Sequence, residues 1–383
     1  MLILLVALFH RPLFHHGVRF ALVRGAALQG LQLDLRLSGT VWTDLIIDGV
    51  RVEATGAKPT PVRRIAIEHL RFDYSIPALL KHGIGEFLQS YAVRHATLEF
   101  VALPSASEKE KKEKRAIALQ LNDLLAQPAA YADRVHIEDF NVTVTAPENV
   151  TRVLGFHLLL DPEQPGHLRI ARLEIPGVPL WENLAAETSY TDRNLFIKEL
   201  TLAPELVVEE LNFDASRRAQ NIAGFWLKLR AFGGLATISL EGSQLNRRGE
   251  NLAQSYDTRL AIVVSDLALP AAAKYFGAPP PPIERLSRFT VHFTGEPERP
   301  RTWQGDLSLA LEGLAAGTAL TLDRVALEAV FHDGRARITP MQVSAGKNTV
   351  NLQAEVLLPE SVNEFPARKL KPRSSSMPPI YPT

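Results

Sequence analysis

Ile47-Asp48-Gly49-Val50-Arg51-Val52 shows the pattern from which most of the chain is built: an apolar residue, two further residues, an apolar residue, one residue and a final apolar residue. Copies follow one another at irregular intervals, so the pattern does not indicate a solenoid with a fixed repeat. Further copies begin at Ile67, Ile137, Ile170, Ile197, Val208, Val264 and Leu322, with a weaker one at Val93.

Elsewhere apolar and polar residues alternate with a period of two, which is typical of strands that bury one face. Leu31, Leu33 and Leu35 alternate with polar residues, and Gly39-Thr40 then leads toward the first copy of the pattern. Asp333-Gly334 joins two later runs, as in a β-hairpin. The sequence therefore predicts a mainly β fold: a long, twisted antiparallel sheet curled into an open apolar groove, with two short helices.

The spacing of the pattern has two structural interpretations. A gap of three residues places two apolar side chains on opposite faces of a regular strand, because side chains alternate. One extra residue, accommodated as a β-bulge, returns both to the same face and bends the strand. Bulges in successive strands would curl the sheet with its apolar side inward. A short turn between two separate strands explains the same spacing, and the sequence leaves both interpretations open.

The composition argues against several classes of function. The 383 residues have a formal net charge of zero, so no basic excess is present to neutralise phosphates, and nucleic acid is not expected as a partner. The chain contains no cysteine, which excludes disulfides and thiolate chemistry and suits a bacterial periplasm. No phosphate-binding glycine loop, HExxH motif or G-x-S-x-G motif is present. We therefore predict no enzyme activity, no catalytic residue, no metal site and no cofactor.

The N-terminal residues suggest contact with a membrane. The run from Leu2 to Phe9 is apolar throughout but shorter than the ~20 residues that a membrane-spanning helix needs. It fits either the last part of a membrane anchor or an ordinary buried first element. The following residues, with Arg11, Arg19 and Arg24 among apolar side chains, predict a short amphipathic helix at a membrane surface.

These patterns divide the chain into six predicted segments. Ser75 and Pro77 are typical of a helix start, and short helical turns are predicted near 179–186 and 270–276. The segments are 1–29, a partial membrane anchor and interfacial helix; 30–103, a first β segment with a helix near 75–91; 104–130, a charged helical insertion; 131–278, a β-groove segment; 279–360, a second β-groove segment; and 361–383, a disordered tail.

Residues 38–54, 63–100 and 305–359 resemble the bacterial AsmA-like (TamB-like) family. The resemblance lies in a strand pair around 47–52, a strand at 67–74 that runs into Ser75-Ile76-Pro77-Ala78-Leu79-Leu80, and a strand at 93–100. Residues 305–359 look like the repeated strands of that family. The resemblance covers about residues 1–360 and concerns periodicity and turn residues rather than catalytic groups.

The resemblance implies a protein anchored in the inner membrane of a Gram-negative bacterium. Members of this family extend through the periplasm as a curled sheet and are implicated in moving phospholipid toward the outer membrane. The expected partners are phospholipid, the inner membrane and outer-membrane proteins or their assembly machinery. An alternative is a scaffold or assembly factor for outer-membrane proteins that uses an open sheet edge. A closed β-sandwich is a third possibility.

An apolar groove would suit lipid tails, because each CH₂ exposed to water costs about 0.8 kcal/mol. With adjacent strands ~4.8 Å apart, about 15–20 strands would form a trough of roughly 70–95 Å. We expect acyl chains to contact the apolar residues of the recurring pattern. The candidate lipid-binding residues are Ile47, Val52, Ile67, Phe72, Ile137, Val142, Val208 and Phe213.

Overall fold

The computed structural model describes residues 2–362, apart from 41, 57, 59, 83–86, 103–131, 193, 215, 217–221, 246–254, 298 and 317–319. The described residues form one sheet of eighteen strands with three helices, so the predicted mainly β, curled-sheet fold is confirmed. The helices are α1 (Leu2–Leu28), α2 (Ile76–His82) and α3 (Leu269–Tyr275), with a 3₁₀ turn at Pro300–Thr302.

The eighteen strands are numbered in their order along the chain. They are β1 (Leu31–Thr40), β2 (Asp44–Ala54), β3 (Val62–Tyr74), β4 (Leu88–Val101), β5 (Arg134–Thr145), β6 (Val150–Leu160), β7 (Gly166–Glu174), β8 (Trp181–Thr191), β9 (Asn194–Ala203), β10 (Leu206–Asp214), β11 (Ile222–Ala231), β12 (Gly234–Leu245), β13 (Ser255–Ala268), β14 (Ile283–Gly295), β15 (Gln304–Ala316), β16 (Leu320–His332), β17 (Arg335–Ala345) and β18 (Asn348–Leu357).

Each strand pairs with its neighbours in sequence, from β1 to β18. The sheet has two ends: the α1 end, where α1 joins β1, and the α2 end, where α2 joins β3 to β4. The pair β4–β5 is parallel and the other pairs are antiparallel, so the predicted antiparallel order is wrong at one place. A parallel pair requires a long crossover connection, and the connection here is the predicted insertion at 104–130, which lies outside the described residues.

One face of the sheet is apolar across all eighteen strands. Two rows of residues show this, one near the α1 end and one near the α2 end. Within each row, every residue is paired in register with the next one on the neighbouring strand. The first row crosses β1 to β8 and consists of Leu33, Val52, Ile65, Leu98, Val142, Val153, Leu173 and Trp181. The second row crosses β8 to β18 and consists of Tyr190, Leu195, Phe213, Phe225, Leu240, Leu260, Phe293, Gly305, Phe331, Ala336 and Val356.

The recurring pattern forms β-bulges within continuous strands, which confirms the bulge interpretation; the alternative of short turns is wrong. The third residue of several copies adopts a left-handed conformation, with φ of 63° at Gly49, 48° at His95, 50° at Asp139, 57° at Glu199 and 56° at Asp266. This is the geometry of a bulge whose extra residue occupies the left-handed region. Apolar residues on both sides of a bulge then share one face, as Ile47, Val50 and Val52 do in one buried cluster.

The bulges of β2 to β5 lie side by side. Each of these four strands has one residue that is left out of the register of paired residues, while the register is the same before and after it. The four residues are Gly49, Glu68, His95 and Asp139. Because a bulge bends its strand and increases its twist, a row of bulges bends neighbouring strands together. The sheet therefore curls with its apolar face on the inner side.

Substitutions at Gly49 test whether the bulge requires a residue that readily adopts the left-handed conformation. A Cβ at this position would meet only the Arg36 guanidinium, at 3.6 Å, so space does not limit the side chain. A left-handed conformation costs an L-residue about 1–2 kcal/mol, and least for asparagine. We expect Gly49→Val to lower the free energy of unfolding by about that amount and Gly49→Asn to lower it less. Urea denaturation measures both, and equal losses would contradict the backbone explanation.

Three predictions need correction: the length of one helix, a helical turn and a break in the sheet. Ser75 caps α2, accepting a hydrogen bond from the Ala78 N–H at 3.3 Å, but α2 ends at His82. The predicted helix near 75–91 is therefore too long: β4 begins at Leu88 and pairs with Tyr74. The predicted helical turn near 179–186 is wrong, because β8 occupies those residues, whereas α3 agrees with the turn near 270–276. No break in the sheet separates 131–278 from 279–360, since β13 pairs with β14.

The N-terminal helix is longer than the short amphipathic helix predicted for this region, because it also includes the apolar run from Leu2 to Phe9. α1 contains 27 residues and leads into β1 through Gln29-Gly30. Near its end, the Arg19 guanidinium lies 3.6 Å from the Asp34 carboxylate of β1. Within the described part of the chain, no helix is both long enough and apolar enough to cross a membrane.

Candidate functional site

The candidate site is the inward apolar face of the sheet. At β1–β3 it contains a cluster built on Leu35, Ile47, Val50 and Val52, which are each at most 9% exposed. Ile67 and Phe72 pack against this cluster. The structure therefore brings together four of the predicted lipid-binding residues: Ile47, Val52, Ile67 and Phe72.

A second cluster lies at the α2 end of β3–β9 and is called the Tyr190 cluster here. Its buried members are Leu88, Ala132, Val135, Leu160 and Tyr190. Phe72 and Ile137 pack against it, so Phe72 joins the first two clusters. Tyr91 also packs here, and burial, with a smaller contribution from Tyr190, raises the pKa of Tyr91 to about 12.

The sheet folds sharply at the Tyr190 cluster. Thr188 of β8 donates a hydrogen bond across β7 to the Leu159 carbonyl of β6 at 3.0 Å. The Tyr190 hydroxyl donates to the carbonyl of Ala132, just before β5, at 2.9 Å. Gly166 of β7 lies beneath the Thr188 bond, where a Cβ would be 2.3 Å from Thr188 Oγ1 and 2.2 Å from the Leu159 carbonyl oxygen. The absence of a side chain at Gly166 therefore permits the close approach of β6 and β8.

A third cluster lies at the α1 end of β8–β13 and is called the α3 cluster here. Leu206, Ala231 and Phe232 are its buried members, and Ala271, Ala272 and Tyr275 of α3 pack against it. The Trp181 indole N–H of β8 donates a hydrogen bond to the Tyr275 hydroxyl at 2.6 Å. α3 therefore lies on the inward face and connects β13 back to β8.

The three remaining candidates lie on the same face but in other places. Val142 lies between Leu98 and Val153. Val208 is buried between Leu200 and Leu229. Phe213 lies between Leu195 and Phe225. The predicted residues thus line a long surface and do not converge on one pocket.

The inward face is exposed at β18. Val350, Leu352 and Val356, which point to the same side as Met341 and Ala336, are 55%, 52% and 49% exposed. Among the described strands, β18 pairs with β17 alone, so its outer edge is open. The sheet therefore presents both an apolar surface and an open strand edge there.

The outer face carries polar side chains that pair across strands. Asp48 and His69 approach to 2.7 Å, Asp139 and His95 to 3.1 Å, and Arg152 and Glu174 to 2.6 Å. Asp139 also accepts a hydrogen bond from Asn141 at 3.0 Å, and Asn141 accepts one from the Gly155 N–H at 2.8 Å. Polar partners thus hold the bulges of β5 and β6 on the solvated side.

The His95–Asp139 pair gives a pH-dependent prediction. The hydrogen bond that His95 donates to the Asp139 carboxylate raises the pKa of His95, with smaller contributions from Glu68 and Glu138, and lowers the pKa of Asp139. Because the pKa of His95 is raised on folding, its stabilising contribution is complete below the ordinary value of 6.5 and is lost as pH rises through the folded value. We expect an NMR titration midpoint for His95 above 6.5 that falls in Asp139→Asn. An unchanged midpoint would contradict the pairing.

A polar cavity of about 1030 Å³ adjoins the Tyr190 cluster at the α2 end. Asp73, Ser90, Arg134, Tyr190 and Asp192 are among its lining residues. Arg134 is paired with Glu163 at 2.7 Å. Among the residues that the structure describes, no group of three or more His, Cys, Asp or Glu side chains is arranged to hold a metal ion.

Sequence reasoning did not identify the residues that fix the shape of the site. These residues act through partners that lie elsewhere along the chain, as Trp181 and Tyr275 do at a separation of 94 positions; they are Gly166, Trp181, Tyr190 and Tyr275. The inward face offers alkyl chains a continuous surface of aliphatic and aromatic contacts. In comparisons with known proteins, no family model, no curated protein and no solved structure matches this chain.

Proposed function

We propose that this protein carries phospholipid between the inner and outer membranes of a Gram-negative bacterium. In this proposal it is an AsmA-like, TamB-like lipid transport protein of the periplasm that contributes to outer membrane biogenesis and is anchored at the inner membrane. The observation that supports the proposal most is the continuity of the apolar inward face from β1 to β18. A compact binding site would need only a few strands.

The energetic argument concerns lipid tails in water. Exposing a 16-carbon chain to water costs a transfer free energy on the order of 10 kcal/mol or more, and this cost prevents free crossing of an aqueous space. Eighteen strands at ~4.8 Å spacing provide an apolar path of about 80 Å along the curled sheet. A tail that moves from strand to strand on this face remains in contact with apolar groups.

The polar outer face and the repetitive apolar inward face both fit lipid transfer. Ion pairs such as Lys228–Glu209, at 2.9 Å, keep the outer side hydrated. A conduit needs contacts that are similar at each step, because one strongly binding position would stop flow. Repetition of one apolar motif provides such contacts.

The proposed anchor is the N-terminal region. The apolar run from Leu2 to Phe9 begins α1, and later in α1 the side chains of Phe20 and Leu28 are 63% and 64% exposed. The Arg24 guanidinium lies 5.8 Å from the Phe20 ring centroid. Exposed apolar side chains next to arginines suit contact with an anionic membrane surface.

A transfer assay between vesicles tests the proposal. Donor vesicles would carry a self-quenched fluorescent phospholipid, and acceptor vesicles would carry none. We expect the purified full chain to raise the rate of dequenching in proportion to its concentration. A rate equal to that of vesicles alone would contradict lipid transfer.

One observation favours a second candidate function, an assembly factor for outer-membrane proteins. The open edge of β18 carries one charged residue, Glu355, which is paired with Arg335 at 2.6 Å. A long strand edge with little charge can pair with a strand of another chain. Gln353→Pro changes the edge strand at a residue that points away from the inward face, so it would abolish capture of a client β-strand while leaving lipid transfer in place. Loss of lipid transfer with capture retained would favour the conduit.

A further inference from the structure

α3 crosses over the inward face instead of continuing away from the sheet. It follows β13 directly, with the Ala268 N–H donating to the Phe232 carbonyl at 3.2 Å. From there it returns toward β8, five strands earlier in the sheet. The side chains beneath it, Leu206, Leu229 and Ala231, belong to the inward apolar face. At β8–β13 the face is therefore covered at the α1 end by a short helix.

The contact between α3 and the sheet is small and largely aromatic. The Tyr275 ring lies 5.4 Å from Phe232 and 5.0 Å from Phe276, measured between centroids. Beyond these rings, α3 contributes the small side chains of Ala271 and Ala272. None of the seven residues of α3 is buried, and Phe276 is 42% exposed. The hydrogen bond from Trp181 to Tyr275 joins the far end of α3 to β8.

The two ends of α3 can change direction without breaking a strand. The first helical turn has no side-chain cap, and Pro270 lacks an N–H group. After Tyr275, the chain passes through Gly277, with φ of 66°, to the prolines at 279–282. β13 and β14 remain paired on either side of this connection. α3 can therefore swing away while the sheet stays intact.

We propose that α3 is a lateral gate of the groove, closed by the Trp181–Tyr275 hydrogen bond and opened to admit an alkyl chain from the side. The opening and closing of the gate involve only α3 and the part of the inward face beneath it. Its use by a phospholipid tail rests on the proposed function. The gate explains why an aromatic hydrogen bond joins two elements that the sheet itself keeps five strands apart.

Single cysteines test the gate, because the natural chain contains none. Ala231 lies beneath α3 and Ala329 lies on the inward face of β16, beyond its reach; both are 6% exposed. The rate of maleimide labelling of Ala231→Cys and Ala329→Cys reports how often each position becomes accessible to solvent. Loss of one hydrogen bond, worth about 0.5–1.5 kcal/mol, corresponds to roughly a 2- to 13-fold change in that rate.

We expect Tyr275→Phe to speed labelling of Ala231→Cys within that range and to leave labelling of Ala329→Cys unchanged. Equal acceleration at both positions would show general loosening of the sheet and would overturn the proposal. Unchanged labelling at both positions would show a fixed brace and would overturn it as well. These readouts involve no lipid, so they stand even if lipid transfer fails.

A second measurement addresses the alkyl chain. Trp181→Cys and Tyr275→Cys in one chain would be joined by a bis-maleimide linker, and loading of a fluorescent phospholipid would be compared before and after joining. We expect loading to be lost on joining. Full loading of the joined protein would overturn entry through the gate, whereas no loading before joining would refute the proposed function and leave the labelling result to decide the gate.

Discussion

Replacing Phe72 and Val142 together by aspartate is expected to reduce phospholipid transfer at least about tenfold, equivalent to about 1.4 kcal/mol or more. Both side chains lie on the inward face, Phe72 between two apolar clusters and Val142 in the row that crosses β1 to β8. A carboxylate on this path must lose its water when an alkyl chain passes, and such desolvation without a partner is costly. Vesicle transfer measures the effect.

The matched control places the same charges on the outer face. Thr97 of β4 and Thr201 of β9 are exposed there, and Thr97 is paired with Ala66 and Asn141. Thr97→Asp with Thr201→Asp is expected to leave transfer unchanged. Circular dichroism and thermal unfolding of both double variants separate loss of the path from loss of the fold. Normal transfer by a folded Phe72→Asp, Val142→Asp protein would mean that lipid does not use this face.

Gly166→Ala is expected to destabilise the protein by about 1–3 kcal/mol, the usual cost of inserting a group where no space exists. The new Cβ would meet the Leu159 carbonyl oxygen at 2.2 Å and Thr188 Oγ1 at 2.3 Å. Relief requires β8 to move away from β6, which breaks the Thr188 bond and loosens the Tyr190 cluster. Urea denaturation measures the loss of stability.

Gly224→Ala provides the control for this substitution. Gly224 also lies in a strand, and a Cβ there would meet its nearest atom, Asp214 Cβ, at 3.5 Å, an ordinary contact. Because alanine loses less backbone entropy than glycine on folding, Gly224→Ala is expected to be neutral or stabilising. If the two variants unfold alike, the close approach of β6 and β8 does not hold the curl.

The strands and their bulges could be predicted because their signals are local. Apolar residues three and then two apart recur within single strands, and the extra residue is Gly49 or Asp139 in two strong copies. Glycine and aspartate adopt the left-handed conformation more readily than most residues. The eight predicted lipid-binding residues share the inward face for the same reason, since the pattern itself defines that face.

The remaining features depend on contacts that no local pattern encodes. The parallel pair β4–β5 arises from the direction in which a long connection returns. The bond from Tyr190 to Ala132 joins residues 58 positions apart, and it exists only once the sheet has curled. The predicted helix near 75–91 was too long because Leu88 and Tyr91 find partners in β3, and this pairing outweighs helical preference.

The most direct test of the central claim is native mass spectrometry with lipid extraction on the full chain after expression in a Gram-negative host. A groove that holds alkyl chains along its length predicts several phospholipids per chain. It also predicts their loss in the Phe72→Asp, Val142→Asp variant and their retention in the Thr97→Asp, Thr201→Asp variant. A lipid-free, monodisperse protein would contradict the conduit and would leave the open edge of β18 as the basis of its function.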